Sequence, residues 1–215
     1  MDLNWIVAAL RHCGRIQAFK RGKSLHSHLV RHGFCRNVFL ANNLIAMYVD
    51  FAFLNDARRL FDETPDRNVV TWTTMVSAYT NTGRPDEAIE LFTQMLESQS
   101  EIPNGFMYSA VLKACGLVGN LELGKLIHRR ISRAKLEFDT VLMNTLLDMY
   151  VKCGSLIDAR KVFNEINVTN LTSWNTMISG YSKEGLMEEA VDLFHRMPEL
   201  PDVVSWNSII RWFRE

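Results

Sequence analysis

A chain built from internal copies is restricted to architectures that stack those copies, and this chain repeats itself at an offset of 102 residues. Ala9-Leu10-Arg11-His12-Cys13 corresponds to Val111-Leu112-Lys113-Ala114-Cys115, and Gly22-Lys23-Ser24-Leu25-His26 to Gly124-Lys125-Leu126-Ile127-His128. The same offset pairs Asn42 with Asn144, Tyr48 with Tyr150, Phe61 with Phe163 and Trp72 with Trp174. A finer period lies inside each block. Segments 54–64, 86–95, 156–166 and 187–197 each carry an alanine (Ala57, Ala88, Ala159, Ala190), then Leu or Val three residues on, then a phenylalanine (Phe61, Phe92, Phe163, Phe194). Apolar residues at this spacing mark one face of an amphipathic helix. An alanine in a fixed place suits a close helix crossing. Gly83, Gly154 and Gly185 precede three of these segments. A glycine there can take positive φ and end the helix before it. Each unit is therefore predicted to be a helix, a tight turn and a second helix.

Counting these units places them at 3–37, 38–68, 69–104, 105–139, 140–170 and 171–202, with a partial unit at 203–215. A single pair of short helices cannot cover its own apolar face, so the units are expected to stack into one helical solenoid with an extended inner groove. Composition agrees. A chain that is 47% hydrophobic and 22% charged is not disordered throughout. No run of eighteen apolar residues occurs, so no membrane-spanning helix is expected. Five prolines and eleven glycines favour long helices over many short strands. The cysteines, Cys13, Cys35, Cys115 and Cys153, form no C-x-x-C pair, and no apolar signal peptide opens the chain. A reducing, intracellular setting is expected, with the sequons at Asn167 and Asn170 as chance matches.

Net charge is zero, with 24 basic and 24 acidic residues, which argues against a globally basic nucleic-acid binder. The charge is nevertheless patterned. Residues 1–49 carry +6, 50–104 carry −6, 105–139 carry +3, 140–170 are neutral and 171–215 carry −3. Basic stripes of this kind could follow a phosphate backbone, or could simply be solvated surface.

Three segments carry a resemblance to a known family: Val69-Val70-Thr71-Trp72-Thr73-Thr74-Met75, Asp86-Glu87-Ala88-Ile89-Glu90-Leu91-Phe92, and Ser173-Trp174-Asn175-Thr176-Met177-Ile178-Ser179-Gly180-Tyr181. In them the chain resembles the pentatricopeptide repeat proteins of plant organelles. The run of unit lengths resembles the subclass called PLS, with 3–37 and 105–139 as long units, 38–68 and 140–170 as short ones and 69–104 as standard. Unit 171–202 falls between short and standard. The resemblance implies an all-α, right-handed superhelical solenoid of helix-turn-helix repeats. It implies single-stranded RNA as partner, possible further contact with RNA-processing or editing proteins, no cofactor, no DNA and no membrane, and a mitochondrial or chloroplast location. The acid-poor start is explained as a repeat, so no cleavable transit peptide is expected.

In this family the fifth and last residues of each unit are implied to contact a base edge, and the second residue to pack on the bases. Carried over by position, the fifth residues are Asn42, Thr73, Ser109, Asn144, Asn175 and, in the partial unit, Asn207. The last residues are Asn68, Asn104, Asp139, Asn170 and Asp202, and the second residues are Phe39, Val70, Phe106, Val141, Thr172 and Val204. The first unit departs from the pattern with Val7 in fifth place; its last residue is Asn37. An Asn amide offers a donor and an acceptor that can match a pyrimidine edge, while a short hydroxyl such as that of Thr73 leaves room for a purine. The resemblance implies adenine for Thr73 with Asn104, uracil for Asn175 with Asp202, and a pyrimidine for Asn42 with Asn68 and for Asn144 with Asn170. Ser109 with Asp139 stays open. The alternative is structural: Asn42 and Asn144 could form a ladder between helices, and Asn or Asp between units could cap them.

Other constellations carry little. Gly22-Lys23-Ser24 would need a glycine at 17 to be a phosphate loop, and Gln17 stands there. His26 and His28 are two residues apart and face different sides of a helix, against a metal site. Cys13 and Cys115 recur at core-like positions, and the Met and Trp residues lie on helical spacing, as core residues do. Many members of the subclass end in a zinc deaminase-like domain, which needs H-x-E and a later C-x-x-C. Neither occurs here, so no catalysis is expected. The expected function is sequence-specific RNA binding as a non-catalytic module in organellar RNA processing or C-to-U editing. A protein-binding helical scaffold is the alternative, and so is a truncated piece of a longer protein. Trp212-Phe213-Arg214-Glu215 would fall inside the first helix of a seventh unit, where an array would continue.

Overall fold

Helix periodicity becomes helix in every expected segment. The computed structural model describes residues 3–34, 37–99, 101–134, 139–166 and 168–210; the closing residues 211–215, and with them the expected continuation, lie outside the described residues. So does Asn167. Thirteen helices and no strand occur among the described residues: α1 Leu3–Arg15, α2 Phe19–Arg31, α3 Val38–Asp50, α4 Leu54–Glu63, α5 Val69–Asn81, α6 Pro85–Ser98, α7 Gly105–Val118, α8 Leu121–Ala134, α9 Thr140–Lys152, α10 Leu156–Glu165, α11 Leu171–Lys183, α12 Met187–Arg196 and α13 Val203–Ile210. They group into two compact units, Met1–Val111 and Leu112–Glu215.

The two helices of each hairpin have different work, and their sequences show it. In the first unit α3 packs against α1, α4 and α5; in the second α11 packs against α9, α12 and α13. A helix covered on several sides must be apolar or small around most of its girth, and α3 buries Leu40, Ala41, Leu44, Ile45, Met47 and Tyr48. The outer helices bury one narrow stripe, as Ala57, Leu60 and Phe61 of α4 do. Ala57, Ala88, Ala159 and Ala190 are buried at 0% exposure, as close crossings require.

Successive hairpins are joined by aromatic pairs. Phe61 meets Trp72 edge-on with ring centroids 4.9 Å apart, Phe163 meets Trp174 at 4.9 Å, and Phe194 meets Trp206 at 4.8 Å. Burying one such ring stabilises by about 1.5–3 kcal/mol, and the edge-on pairing adds about 0.5–1.5 kcal/mol. Two tryptophans depart from the expectation of core. Trp5 is 62% exposed on α1 and Trp206 is 51% exposed on α13, because among the described residues no further hairpin covers the outer faces of those helices.

The turn inside each hairpin closes with one hydrogen bond running from six residues back to one. Arg84 N–H donates to Tyr79 O at 2.9 Å, Ser155 to Tyr150 at 2.9 Å and Leu186 to Tyr181 at 2.9 Å. The residue before each donor is left-handed, and Gly83, Gly154 and Gly185 supply it at φ +72° to +75°. The bond also forms where no glycine was expected: Phe53 N–H donates to Tyr48 O at 2.9 Å and Ala18 N–H to Cys13 O at 2.9 Å. There the left-handed residues are Ala52, φ 59°, and Gln17, φ 56°. Their counterparts 102 residues on are Gly154 and Gly119, φ 72° each. The Gln17 side chain steadies its turn by donating from Nε2 to Gly14 O at 3.1 Å and to Asp50 O at 2.7 Å.

Candidate nucleic-acid interface

Each helix that opens a hairpin begins with free backbone N–H groups, and the residue just before it can accept from them. All the expected last residues do so. Asn37 Oδ1 accepts from Leu40 N–H at 3.2 Å, Asn104 Oδ1 from Met107 N–H at 3.0 Å and Asp139 Oδ1 from Val141 N–H at 3.2 Å. Asn68 Oδ1 accepts from Val70 and Thr71 N–H at 3.1 Å each, Asn170 Oδ1 from Ser173 N–H at 3.1 Å and Asp202 Oδ1 from Ser205 N–H at 2.8 Å. Asn and Asp at these places are thus helix caps, whatever else they do.

At three of these caps the fifth residue of the preceding unit joins in. Asn42 Nδ2 donates to Asn68 Oδ1 at 3.2 Å, Asn144 Nδ2 to Asn170 Oδ1 at 3.2 Å and Asn175 Nδ2 to Asp202 Oδ1 at 3.1 Å. A third side chain closes each group, and sequence reasoning missed it. Thr71 Oγ1 donates to Asn42 Oδ1 at 2.6 Å, Ser173 Oγ to Asn144 Oδ1 at 2.7 Å and Ser205 Oγ to Asn175 Oδ1 at 2.6 Å. These three hydroxyls belong to residues of 0% exposure. The signal for them was present as Thr or Ser three residues after Asn68, Asn170 and Asp202. The ladder weighed as an alternative is therefore real, and it ties together the same side chains expected to read bases.

The other expected fifth residues stand differently. Thr73 Oγ1 donates back to Val69 O at 2.6 Å, within its own helix. Ser109 is half-buried on α7, Asn207 is exposed on α13, and Val7 is buried in the core. The expected second residues form a consistent set. Phe39, Val70, Phe106, Val141 and Val204 are 50% to 79% exposed, and Thr172 is exposed too. An exposed residue, apolar in five of the six, thus recurs at the same place in successive units.

In the second unit these parts converge on one groove. A cleft of about 380 Å³ is lined by Thr172 and Val204, by Asn175 and Asp202, and by Lys152 and Lys183. Asp148, also on its wall, lies 2.7 Å from Lys152 Nζ. Hydrogen bonds from the Ser205 backbone N–H, then from the Ser205 hydroxyl and Asn175, hold the Asp202 carboxyl below the usual carboxylate range. Asp202 is therefore an acceptor only, which orients the Asn175 amide with its nitrogen towards Asp202. His26 Nδ1 is 2.9 Å from the Tyr48 hydroxyl and His128 Nδ1 is 2.9 Å from that of Tyr150, a structural pair repeated at the 102-residue offset. Cys13 and Cys115 are buried.

Stacked helical hairpins with capped helices and an exposed residue recurring in each define a helical-repeat protein. Profiles of the families described as "PPR repeat" and "PPR repeat family" match residues 141–168 and 172–200, and residues 67–116. The chain is similar to the pentatricopeptide repeat-containing protein At4g08210 of Arabidopsis thaliana, 60% identical over 166 residues, covering 77% of this chain and 24% of that protein. It is also similar to the Arabidopsis protein At1g06140, named as mitochondrial, 36% identical over 214 residues and covering 98% of this chain and 38% of that one. It thus spans well under half the length of these relatives. In fold it is like the pentatricopeptide repeat protein PPR10 solved in complex with an 18-nt psaJ RNA element, with TM-score 0.67, 16% identity and coverage of 99% of this chain and 38% of that one. It is like the PPR domain of Arabidopsis protein-only RNase P 1 solved with tRNA, with TM-score 0.66, 11% identity and coverage of 83% of this chain and 99% of that one. These likenesses place the fold in the all-α repeat class of the solved pentatricopeptide repeat proteins. The chain belongs to the pentatricopeptide repeat family.

Proposed function

We propose that this chain is a non-catalytic module that binds single-stranded RNA, one base per junction between units. The observation that carries the reading is the groove of the second unit, where Thr172 and Val204 flank the Asn175–Asp202 pair. A base entering it would lie between two apolar surfaces with an amide at its edge, and Lys183 on the wall could meet a phosphate. RNA is also what the solved relatives of similar fold were captured with.

We further propose that the units are those counted above, of PLS type, and that the reading runs, 5′ to 3′, pyrimidine, adenine, an unassigned base, pyrimidine, uracil. The corresponding pairs are Asn42 with Asn68, Thr73 with Asn104, Ser109 with Asp139, Asn144 with Asn170, and Asn175 with Asp202. The whole protein would then work in a mitochondrion or chloroplast, in RNA processing or C-to-U editing, as names of relatives such as At1g06140 and At1g59720 suggest for location. Fluorescence anisotropy with short RNAs of this pattern and with scrambled ones tests the reading. Tighter binding of the patterned RNA is expected; equal binding rejects base reading and leaves the protein-binding scaffold. Thr73→Asn with Asn104→Asp should move preference at one position from adenine to uracil, by about tenfold for a gained pair of base-edge hydrogen bonds.

A further inference from the structure

We infer that the buried hydroxyls of Thr71, Ser173 and Ser205 are positioning residues that set which end of the neighbouring Asn amide meets the RNA. The inference rests on the base reading proposed above and adds to it a residue class outside the fifth, last and second positions. Backbone donors fix the direction of the bond at one end of Asn42, and the short hydroxyl contact sets the other. The Asn68 N–H donates to Thr71 Oγ1 at 3.2 Å, which leaves the hydroxyl hydrogen to face Asn42 Oδ1 at 2.6 Å and, less closely, Asn68 Oδ1 at 3.0 Å. The N–H groups of Val70 and Thr71 occupy Asn68 Oδ1 as donors, so Asn42 must offer that oxygen its Nδ2. The Asn42 amide is held at both ends and cannot turn over. One Nδ2 hydrogen and one Oδ1 lone pair remain outside the triad, a donor and an acceptor side by side, the complement of adjacent groups on a pyrimidine edge.

The same closure recurs. The Asn170 N–H is 3.3 Å from Ser173 Oγ, which reaches Asn144 Oδ1 at 2.7 Å. The Asp202 N–H is 3.1 Å from Ser205 Oγ, which reaches Asn175 Oδ1 at 2.6 Å. The pattern also holds in reverse within this sequence. Where the third residue of the following helix is Leu40, Met107 or Leu142, the fifth residue before it is Val7, Thr73 or Ser109, never Asn. A hydroxyl accompanies an Asn, and an apolar residue accompanies its absence. The Thr71 and Ser173 hydroxyls also close capping boxes with Asn68 and Asn170, but capping alone does not require them, since Asn37, Asn104 and Asp139 cap without a hydroxyl partner. The sequence thus has two kinds of junction, those with an Asn and a following hydroxyl and those with neither.

The test compares Thr71→Val, which keeps the shape and removes the hydroxyl, with Thr71→Ser, which keeps the hydroxyl. Both are bound to short single-stranded RNAs that differ only in the base facing Asn42. The preference for a pyrimidine over a purine is expected to fall about tenfold in Thr71→Val, the size of one hydrogen bond, and to persist in Thr71→Ser. Binding of RNAs varied at the other positions stays as in the unaltered chain. The NMR signals of the Asn42 side-chain amide report on the same point without RNA: their exchange with water should accelerate in Thr71→Val and not in Thr71→Ser. Ser205→Ala, read at the base facing Asn175, gives the same comparison should Thr71→Val not fold. A pyrimidine preference unchanged in the hydroxyl-free variants overturns the positioning role. An unaltered chain with no base preference at these junctions overturns the base reading itself, and the inference with it.

Discussion

At the residue scale, one side chain at three of the junctions does two jobs. Asn68 caps α5 and also accepts from Asn42, whereas Asn104 caps α7 alone. Losing a cap costs about 1 kcal/mol, and leaving a buried amide without its partner adds about 1–2 kcal/mol. Asn68→Ala should therefore destabilise by about 2–3 kcal/mol and Asn104→Ala by about 1 kcal/mol, read from urea unfolding midpoints at constant slope. Equal losses would mean that the ladder adds nothing to stability. A second prediction concerns the left-handed Ala52, φ 59°, which stands where the other block has Gly154. A Cβ in that conformation costs about 1–2 kcal/mol, offset in part by the lower chain entropy of alanine when unfolded. Ala52→Gly should stabilise by about 0.5–1 kcal/mol, and Gly154→Ala should change stability by about as much in the opposite direction, both seen as shifts in thermal midpoint.

At the element scale, hairpins approach closely where a side chain is missing. Gly180 is buried in α11, and a Cβ there would stand 2.8 Å from Val151 Cγ1 and 3.1 Å from Leu156 Cδ2. Alanine favours a helix by about 1 kcal/mol over glycine, but crowding a packed crossing costs about 1–3 kcal/mol. Gly180→Ala should therefore destabilise on balance, by about 1 kcal/mol in urea unfolding, against the sign that helix propensity alone predicts. The helices themselves were legible: the Ala-to-Phe spacing of 57 to 61, 88 to 92, 159 to 163 and 190 to 194 falls on α4, α6, α10 and α12. The turns were legible only where glycine marks them. Gln17 and Ala52 turn the chain in the same way without that mark, because closing the hairpin over its core demands the left-handed residue whichever side chain is present.

At the scale of the whole molecule, each compact unit carries a half-buried imidazole against a buried phenol, His26 with Tyr48 and His128 with Tyr150. Burial lowers the pKa of both histidines against the opposing pull of nearby Glu63 and Asp56, or Glu165 and Asp158. Burial also raises the tyrosines, Tyr150 to about 12. A histidine with a depressed folded pKa takes up its proton more readily when unfolded. Stability should therefore be level above the ordinary histidine value of about 6.5 and fall as pH drops below it. Urea midpoints measured across that range should show the fall, and a double variant His26→Gln with His128→Gln should show a smaller one. A decline of the same size in the double variant would assign the acid sensitivity to other groups.

Period, helix pairing and the positions of the caps are properties of the linear sequence, because a stacked hairpin must repeat its apolar spacing and must end each helix on a residue that can accept from its first N–H groups. The candidate contact residues could also be named by register. Which of them act together was a tertiary matter. Asn42 and Asn68 are 26 residues apart, and Asn42 and Thr71 are 29 apart. The Thr71 hydroxyl is turned inward locally, as the third residue of a capping box with Asn68, but nothing local says that it also reaches Asn42 while Thr73 spends its own on Val69 O. Only the packing of α5 on α3 excludes water from that hydroxyl. Deprived of water, it makes its shortest bond to the Asn42 carbonyl at 2.6 Å, and so the orientation of the amide is decided by stacking and not by sequence position.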